Sequence, residues 1–105
     1  KITNKVLLKQ INYGLGNIKN KNNILIAYEP VWSIGSGIIP TTSELFNTIN
    51  FIKKKINKCK ILYGGSVNPK NIHILKSINI IDGFLIGASS QNPNKFIDII
   101  KKTYI

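Results

Sequence analysis

Three short apolar runs, each followed by a turn or loop and then by a helical pattern, constrain this chain more than any other feature. Ile24-Leu25-Ile26-Ala27-Tyr28, Lys60-Ile61-Leu62-Tyr63 and Phe84-Leu85-Ile86 have strand length and are rich in aliphatic and β-branched residues. The first shows no polar alternation, which predicts a parallel strand buried on both faces. Behind the first strand, Thr41-Thr42-Ser43-Glu44 has the spacing of a capping box. Leu45, Ile49, Ile52 and Ile56 then step along one helical face, and Lys53 to Lys55 lie near the end, where cations suit the helix dipole. Asn68-Pro69 and Asn92-Pro93 each read as a cap with proline at the first helical position. After them Ile72 and Leu75 face inward, and Phe96, Ile97 and Ile100 line the last helix. Residues 1–19 carry a looser helical pattern through Val6, Leu7, Gln10, Ile11 and Ile18, weakened by Gly14 and Gly16. One helix followed by three strand–loop–helix units predicts an α/β domain over residues 1–105, with parallel strands and right-handed crossovers.

The chain has 105 residues, enough for one domain with a core. It contains no methionine, even at position 1, so it reads as a piece of a longer polypeptide. No apolar stretch has the length of a membrane span, and the first residues have no signal-peptide core. The single cysteine, Cys59, precludes an internal disulfide and suits a reducing compartment. The net charge is +11, carried entirely by lysine against four carboxylates. A basic balance raises the possibility of nucleic acid or an anionic membrane as partner. Arginine forks and aromatic–basic interleaving are missing, so neither partner is expected and the lysines read as solvated faces.

The chemistry gathers at the strand ends. Glu44 belongs to a cap, Asp82 to a turn with Gly83, and Asp98 to the last helix. Glu29 instead follows a buried strand and precedes Pro30, where partial desolvation would raise a carboxylate toward the range of a general base. A loop glutamate in a local salt bridge is the simpler alternative. The second strand ends in Gly64-Gly65-Ser66 and the third in Gly87-Ala88-Ser89. Small residues there let main-chain N–H groups close on an oxyanion, although tight turns use the same residues. In a parallel sheet all three sites share the rim where ligands bind. The loop of residues 30–40 is apolar yet glycine-bearing, through Val31, Trp32, Ile34, Gly35 and Gly37, and is a candidate lid that would exclude water. No metal or cofactor is called for.

Ala27-Tyr28-Glu29-Pro30-Val31-Trp32 with Ile34-Gly35-Ser36-Gly37, then Tyr63-Gly64-Gly65-Ser66-Val67 with Asn68 and Asn71, then Asp82-Gly83-Phe84-Leu85-Ile86-Gly87-Ala88-Ser89, resemble the triosephosphate isomerase family in order and spacing. The resemblance covers essentially the whole chain and implies the last three strands and last four helices of a (β/α)8 barrel. It implies Glu29 as the base that moves a proton between C1 and C2 of dihydroxyacetone phosphate and glyceraldehyde 3-phosphate. It also implies main-chain N–H groups of Gly35, Ser66, Gly87 and Ala88 as phosphate donors, residues 30–40 as the lid with Trp32, Ile34 and Gly37, and Tyr63 as its latch. The family's catalytic lysine and histidine belong to the earlier half of the barrel, so the 105 residues alone are expected to be inactive. His73 falls on a helix outside the barrel and is no substitute. Two positions depart from the family pattern. Pro40 lacks the N–H that meets the tyrosine when the lid closes, and Ala88 replaces a usual glycine. The resemblance further implies the rest of the barrel as partner, a homodimer, and a cytoplasmic or organellar setting. A non-catalytic phosphate-binding or structural barrel piece is the alternative.

Overall fold

The computed structural model describes residues 2–19, 23–57 and 59–104. In chain order the elements are α1 (Ile2–Leu15), β1 (Leu25–Tyr28), α2 (Thr42–Lys55), β2 (Lys60–Gly64), α3 (Ile72–Lys76), β3 (Gly83–Leu85) and α4 (Pro93–Tyr104). Short 3-10 turns at Val31–Ser33 and Ala88–Gln91 follow β1 and β3. The three strands are parallel in the order β1-β2-β3, with Tyr28 beside Tyr63 and Tyr63 beside Phe84. Parallel strands alternating with helices are an arc of the (β/α)8 architecture that the sequence suggested.

Helices cover one face of this sheet. Ile61 and Tyr63 point into a core built with Leu45, Ile49 and Ile52 of α2, Ile72 and Leu75 of α3, and Ile99 of α4. Ile26, Tyr28 and Phe84 pack against the same core. The pleat turns Leu25, Ala27, Leu62, Gly64 and Leu85 to the other face. Leu25 is 61% exposed and Leu85 is 44% exposed. The expectation that β1 is buried on both faces is therefore corrected: β1 is an edge strand covered on one face only.

The capping box forms as read from sequence. Thr41 Oγ1 accepts from the Glu44 N–H at 3.1 Å and donates to the Glu44 carboxylate at 2.8 Å. Helix α2 then buries Leu45, Ile49 and Ile52, with Ile56 buried just past its end. Pro93 opens α4, and Asn92 Oδ1 accepts from the Lys95 N–H. Three expectations shift. In α4 the buried residue is Ile99, whereas Phe96, Ile97 and Ile100 are each more than a third exposed. Contact with α3 selects the Ile99 stripe, and Phe96 and Ile100 instead border an open groove beside β3. In α1, Leu7 and Ile11 reach the core but Val6 stays half-exposed. Helix α3 begins at Ile72 rather than after Asn68; the Asn68 side chain still accepts from the N–H groups of Lys70 and Asn71, in a turn ahead of the helix.

Asp82 does more than make a turn. Its carboxylate accepts from the Ile61 N–H at 2.8 Å and pairs with Lys53 at 3.0 Å, tying the start of β3 to β2 and α2. Burial works against the charged form, but the Ile61 amide and the lysine ammoniums outweigh it and hold this carboxyl below its ordinary range. Burial pushes the Cys59 thiol up, and its Sγ–H reaches the Ile24 carbonyl, so it stays a protonated packing residue.

Candidate functional site at the carboxyl ends of the strands

Because the strands are parallel and in register, Glu29, Gly65-Ser66 and Gly87-Ala88 all leave the sheet at one edge. Continuing the alternation of β1, Glu29 follows Leu25 and Ala27 onto the open face. Its side chain lies across Gly64: a Cβ built at Gly64 would stand 3.0 Å from Glu29 Cγ and 3.2 Å from Oε2. Glycine at 64 thus serves the carboxylate directly, by leaving room for it. Glu29 is exposed, which corrects the expected partial desolvation. Among the described residues no cation lies within ion-pair distance of it, while Asp82 pairs with Lys53 and Asp98 with Lys102.

The loop of residues 30–40 is tied down at several points. Its glycines, Gly35 and Gly37, have φ of +69° and +79° and open space around them, so their conformation rather than crowding demands glycine. The Gly37 N–H donates to Ser66 Oγ at 2.9 Å, and Ser66 Oγ donates to the Ser33 carbonyl at 2.5 Å. Ser33 is fully buried, and its hydroxyl donates to the Ile38 carbonyl at 2.5 Å and lies 3.1 Å from the Tyr63 hydroxyl. Tyr63 also donates to the Gly65 carbonyl at 2.9 Å. Burial, moderated by the Ser33 bond and reinforced by Tyr28, pushes the Tyr63 phenol up, so it keeps its hydrogen at neutral pH. Pro40 is buried and offers no N–H. Trp32 is 54% exposed and Ile34 56%, so these apolar residues of the loop are not core.

Ser66 has φ of +54°, the one non-glycine positive φ among the described residues. Two side-chain amides hold it there: Asn68 Nδ2 and Asn71 Nδ2 both donate to its carbonyl, at 3.2 and 2.7 Å. Asn71 Oδ1 returns a bond to the Asn68 N–H at 2.9 Å. Backbone held in this region is stabilised by its surroundings and concentrates at functional sites. Gly87 and Ala88 are exposed at the start of the second 3-10 turn, where the Gly87 carbonyl accepts from both the N–H and the hydroxyl of Ser90. His73 is exposed on α3, on the helix side of the sheet.

Sequence reasoning missed Ser33, and it named Asn68 and Asn71 without their hold on the Ser66 carbonyl. A lone hydroxyl between Trp32 and Ile34 in an otherwise apolar stretch was the available signal for the first. Asparagines spaced three apart after a serine were the signal for the second. Among the described residues no cluster of three His, Cys, Asp or Glu could hold a metal, and no helix is long and apolar enough to cross a membrane.

Residues 1–103 match the triosephosphate isomerase family. The chain is similar to the triosephosphate isomerase of Thermodesulfovibrio yellowstonii, with 38% identity over 107 residues that cover 94% of this chain and 44% of that protein. It is similar to the enzyme of the same name from Mycoplasma mobile, 42% identical over 98 residues, covering 92% of the chain and 40% of that protein. That from Yarrowia lipolytica is 41% identical over 103 residues, covering 90% and 41%. The chain thus spans less than half the length of these relatives. A parallel arc with a carboxylate seated over a strand-end glycine, and a match that runs through all three of its strands, lead to one assignment: the chain belongs to the triosephosphate isomerase family.

Proposed function

We propose that residues 1–105 are the C-terminal part of a triosephosphate isomerase barrel and carry its base, its lid and its phosphate grip. The substrates are dihydroxyacetone phosphate and glyceraldehyde 3-phosphate. The single observation that carries this reading is the Glu29 carboxylate lying over Gly64, at the edge where the 30–40 loop docks on Ser66. In this reading Glu29 takes a proton from one carbon beside the carbonyl and returns it to the other, through an enediolate. The N–H groups of Gly35, Ser66, Gly87 and Ala88 bind the phosphate dianion, whose remote binding energy holds residues 30–40, with Trp32, Ile34 and Gly37, closed over the site. Closure excludes water around Glu29, supplying the desolvation that the open face lacks. The donors that stabilise the enediolate oxygens come from the remaining strands, so the 105 residues by themselves do not turn over. No organic cofactor or metal is needed for proton transfer of this kind. The rest of the barrel covers the open face, the full-length protein is a homodimer, and its setting is cytoplasmic.

The test is isomerisation of glyceraldehyde 3-phosphate by the full-length protein with and without Glu29→Gln. The variant is expected to lose about 10²- to 10⁴-fold in kcat, the contribution of a positioned general base, with inorganic phosphate still bound. Full turnover by the Gln variant overturns the assignment of the base. Phosphate binding without turnover in the unmodified protein favours a non-catalytic phosphate-binding piece.

A further inference from the structure

The hydrogen bonds around Ser33 outnumber the hydrogens that can make them. Ser33 and Tyr63 each bring one hydroxyl hydrogen. Three contacts compete for the two: Ser33 Oγ to the Ile38 carbonyl at 2.5 Å, Ser33 Oγ to the Tyr63 hydroxyl at 3.1 Å, and the Tyr63 hydroxyl to the Gly65 carbonyl at 2.9 Å. Three arrangements are possible; one, with Ser33 donating to Tyr63 and Tyr63 to Gly65, takes the hydrogen away from the Ile38 carbonyl, and two keep it there. In one of these two, Tyr63 donates to Ser33 and Ser33 donates to Ile38, a continuous chain from β2 to the far limb of the 30–40 loop. In the other, Tyr63 donates to Gly65 within its own turn, and Ser33 holds the loop without help from β2.

The surroundings leave this role to Ser33. The Ile38 N–H is taken by Ser36 Oγ at 3.2 Å, and Pro40 has no N–H, so among the described residues the hydrogen-bonded path from the far limb to Tyr63 runs through the Ile38 carbonyl and the Ser33 hydroxyl. Ser33 is fully buried in a segment whose neighbours Trp32 and Ile34 are more than half exposed. Its hydroxyl and its carbonyl therefore fasten the loop at two points, the second through Ser66. The first point, Tyr63, lies on β2 and the second, Ser66, on the turn after it.

We propose that Ser33 is the latch residue of the 30–40 lid: its hydroxyl joins the Ile38 carbonyl to the Tyr63 hydroxyl, and handing the Tyr63 hydrogen from Ser33 to the Gly65 carbonyl lets the lid lift without leaving a buried phenol unpaired. Ser33 is a positioning residue, acting through Tyr63. The proposal rests on the lid reading above, and it predicts two loop states whose balance is set by one shared contact.

The experiment uses the full-length protein labelled with 5-fluorotryptophan, reading the fluorine resonance of Trp32, assigned with Trp32→Phe, before and after addition of inorganic phosphate. Ser33→Ala and Tyr63→Phe are each expected to lower the ratio of latched to released loop by about 2- to 10-fold, the range of a neutral hydrogen bond. The double variant is expected to fall no further than either single one, because both remove the same contact. A Trp32 signal indifferent to Ser33→Ala, or effects of the two substitutions that multiply, overturns the proposal. Tyr63→Phe keeps the ring packing and reads the same contact should Ser33→Ala fail to fold; an unmoved Trp32 signal in it overturns the proposal equally. Turnover is not the readout. An inactive protein with the coupled Trp32 response keeps the latch and removes the isomerase reading, and an active one without the response does the reverse.

Discussion

Gly64→Ala isolates the seating of the Glu29 carboxylate from the stability of the fold. Gly64 has no positive φ, so its backbone accepts alanine without strain. The new Cβ would lie 3.0 Å from Glu29 Cγ, 3.2 Å from Glu29 Oε2 and 3.2 Å from Leu85 Cβ. Carbon atoms in good contact sit about 3.5–4.0 Å apart, so Glu29 has to retreat by about 0.5 Å or more. Its side chain is exposed and can do so at little cost, which keeps the stability change within about 1 kcal/mol. Catalysis is far less forgiving: a reacting group misplaced by 1 Å loses about 10²-fold, so half of that displacement corresponds to about 10-fold in kcat. Steady-state kinetics on the full-length protein, paired with urea unfolding, separate the two effects. The expected result is a drop of about 10-fold in kcat with phosphate affinity and unfolding midpoint nearly unchanged. Undiminished kcat, or a loss of stability large enough to explain the loss of activity, would refute the reasoning.

Three further outcomes concern stability, each read by chemical denaturation of the full-length protein. Gly65→Ala adds a φ of +137° to a closer clash, a Cβ only 2.8 Å from Ser33 Oγ and 2.9 Å from the Tyr63 hydroxyl, both buried, and is expected to lose about 2–5 kcal/mol. Thr41→Ala removes the acceptor for the Glu44 N–H and is expected to lose about 1 kcal/mol. Asp82→Ala removes the partner of the Ile61 N–H and of Lys53 and is expected to lose about 1–3 kcal/mol at pH 7. Since the folded Asp82 carboxyl is held below its unfolded value, its contribution is present above the unfolded value near 3.9 and disappears as pH falls through the folded one, so parent and variant converge in acid. A gap that persists at low pH would show that Asp82 acts as a neutral packing residue.

Local patterns were legible where the physics is local. The capping box at Thr41 and Glu44, the helical stripe of α2 and the cap at Asn92 need only near neighbours, and each forms as its spacing indicates. Burial was misread where it depends on what lies across the sheet. An apolar run such as Leu25–Tyr28 looks alike in a central strand and at an edge, and only the strand order reveals that one face is open. The same gap hid the exposure of Glu29. In α4, Phe96, Ile97, Ile99 and Ile100 all fall within one broad apolar face, and contact with α3 selects Ile99. Asp82 and Ser33 were undervalued for a related reason: their partners, Lys53 and Ile61 for one and Tyr63 for the other, lie 21 to 30 residues away and meet them only in the folded chain.

The pleat of β2 has one last consequence. Tyr63 points toward the helices and holds the loop, while Gly64 points the opposite way and carries the acid across its bare backbone. Door hinge and chemical workbench are thus mounted back to back on adjacent links of a single strand, about 3.3 Å apart along its length. A slide of that strand would unsettle both at once, so natural or designed changes that retune one should leave its footprint on the other.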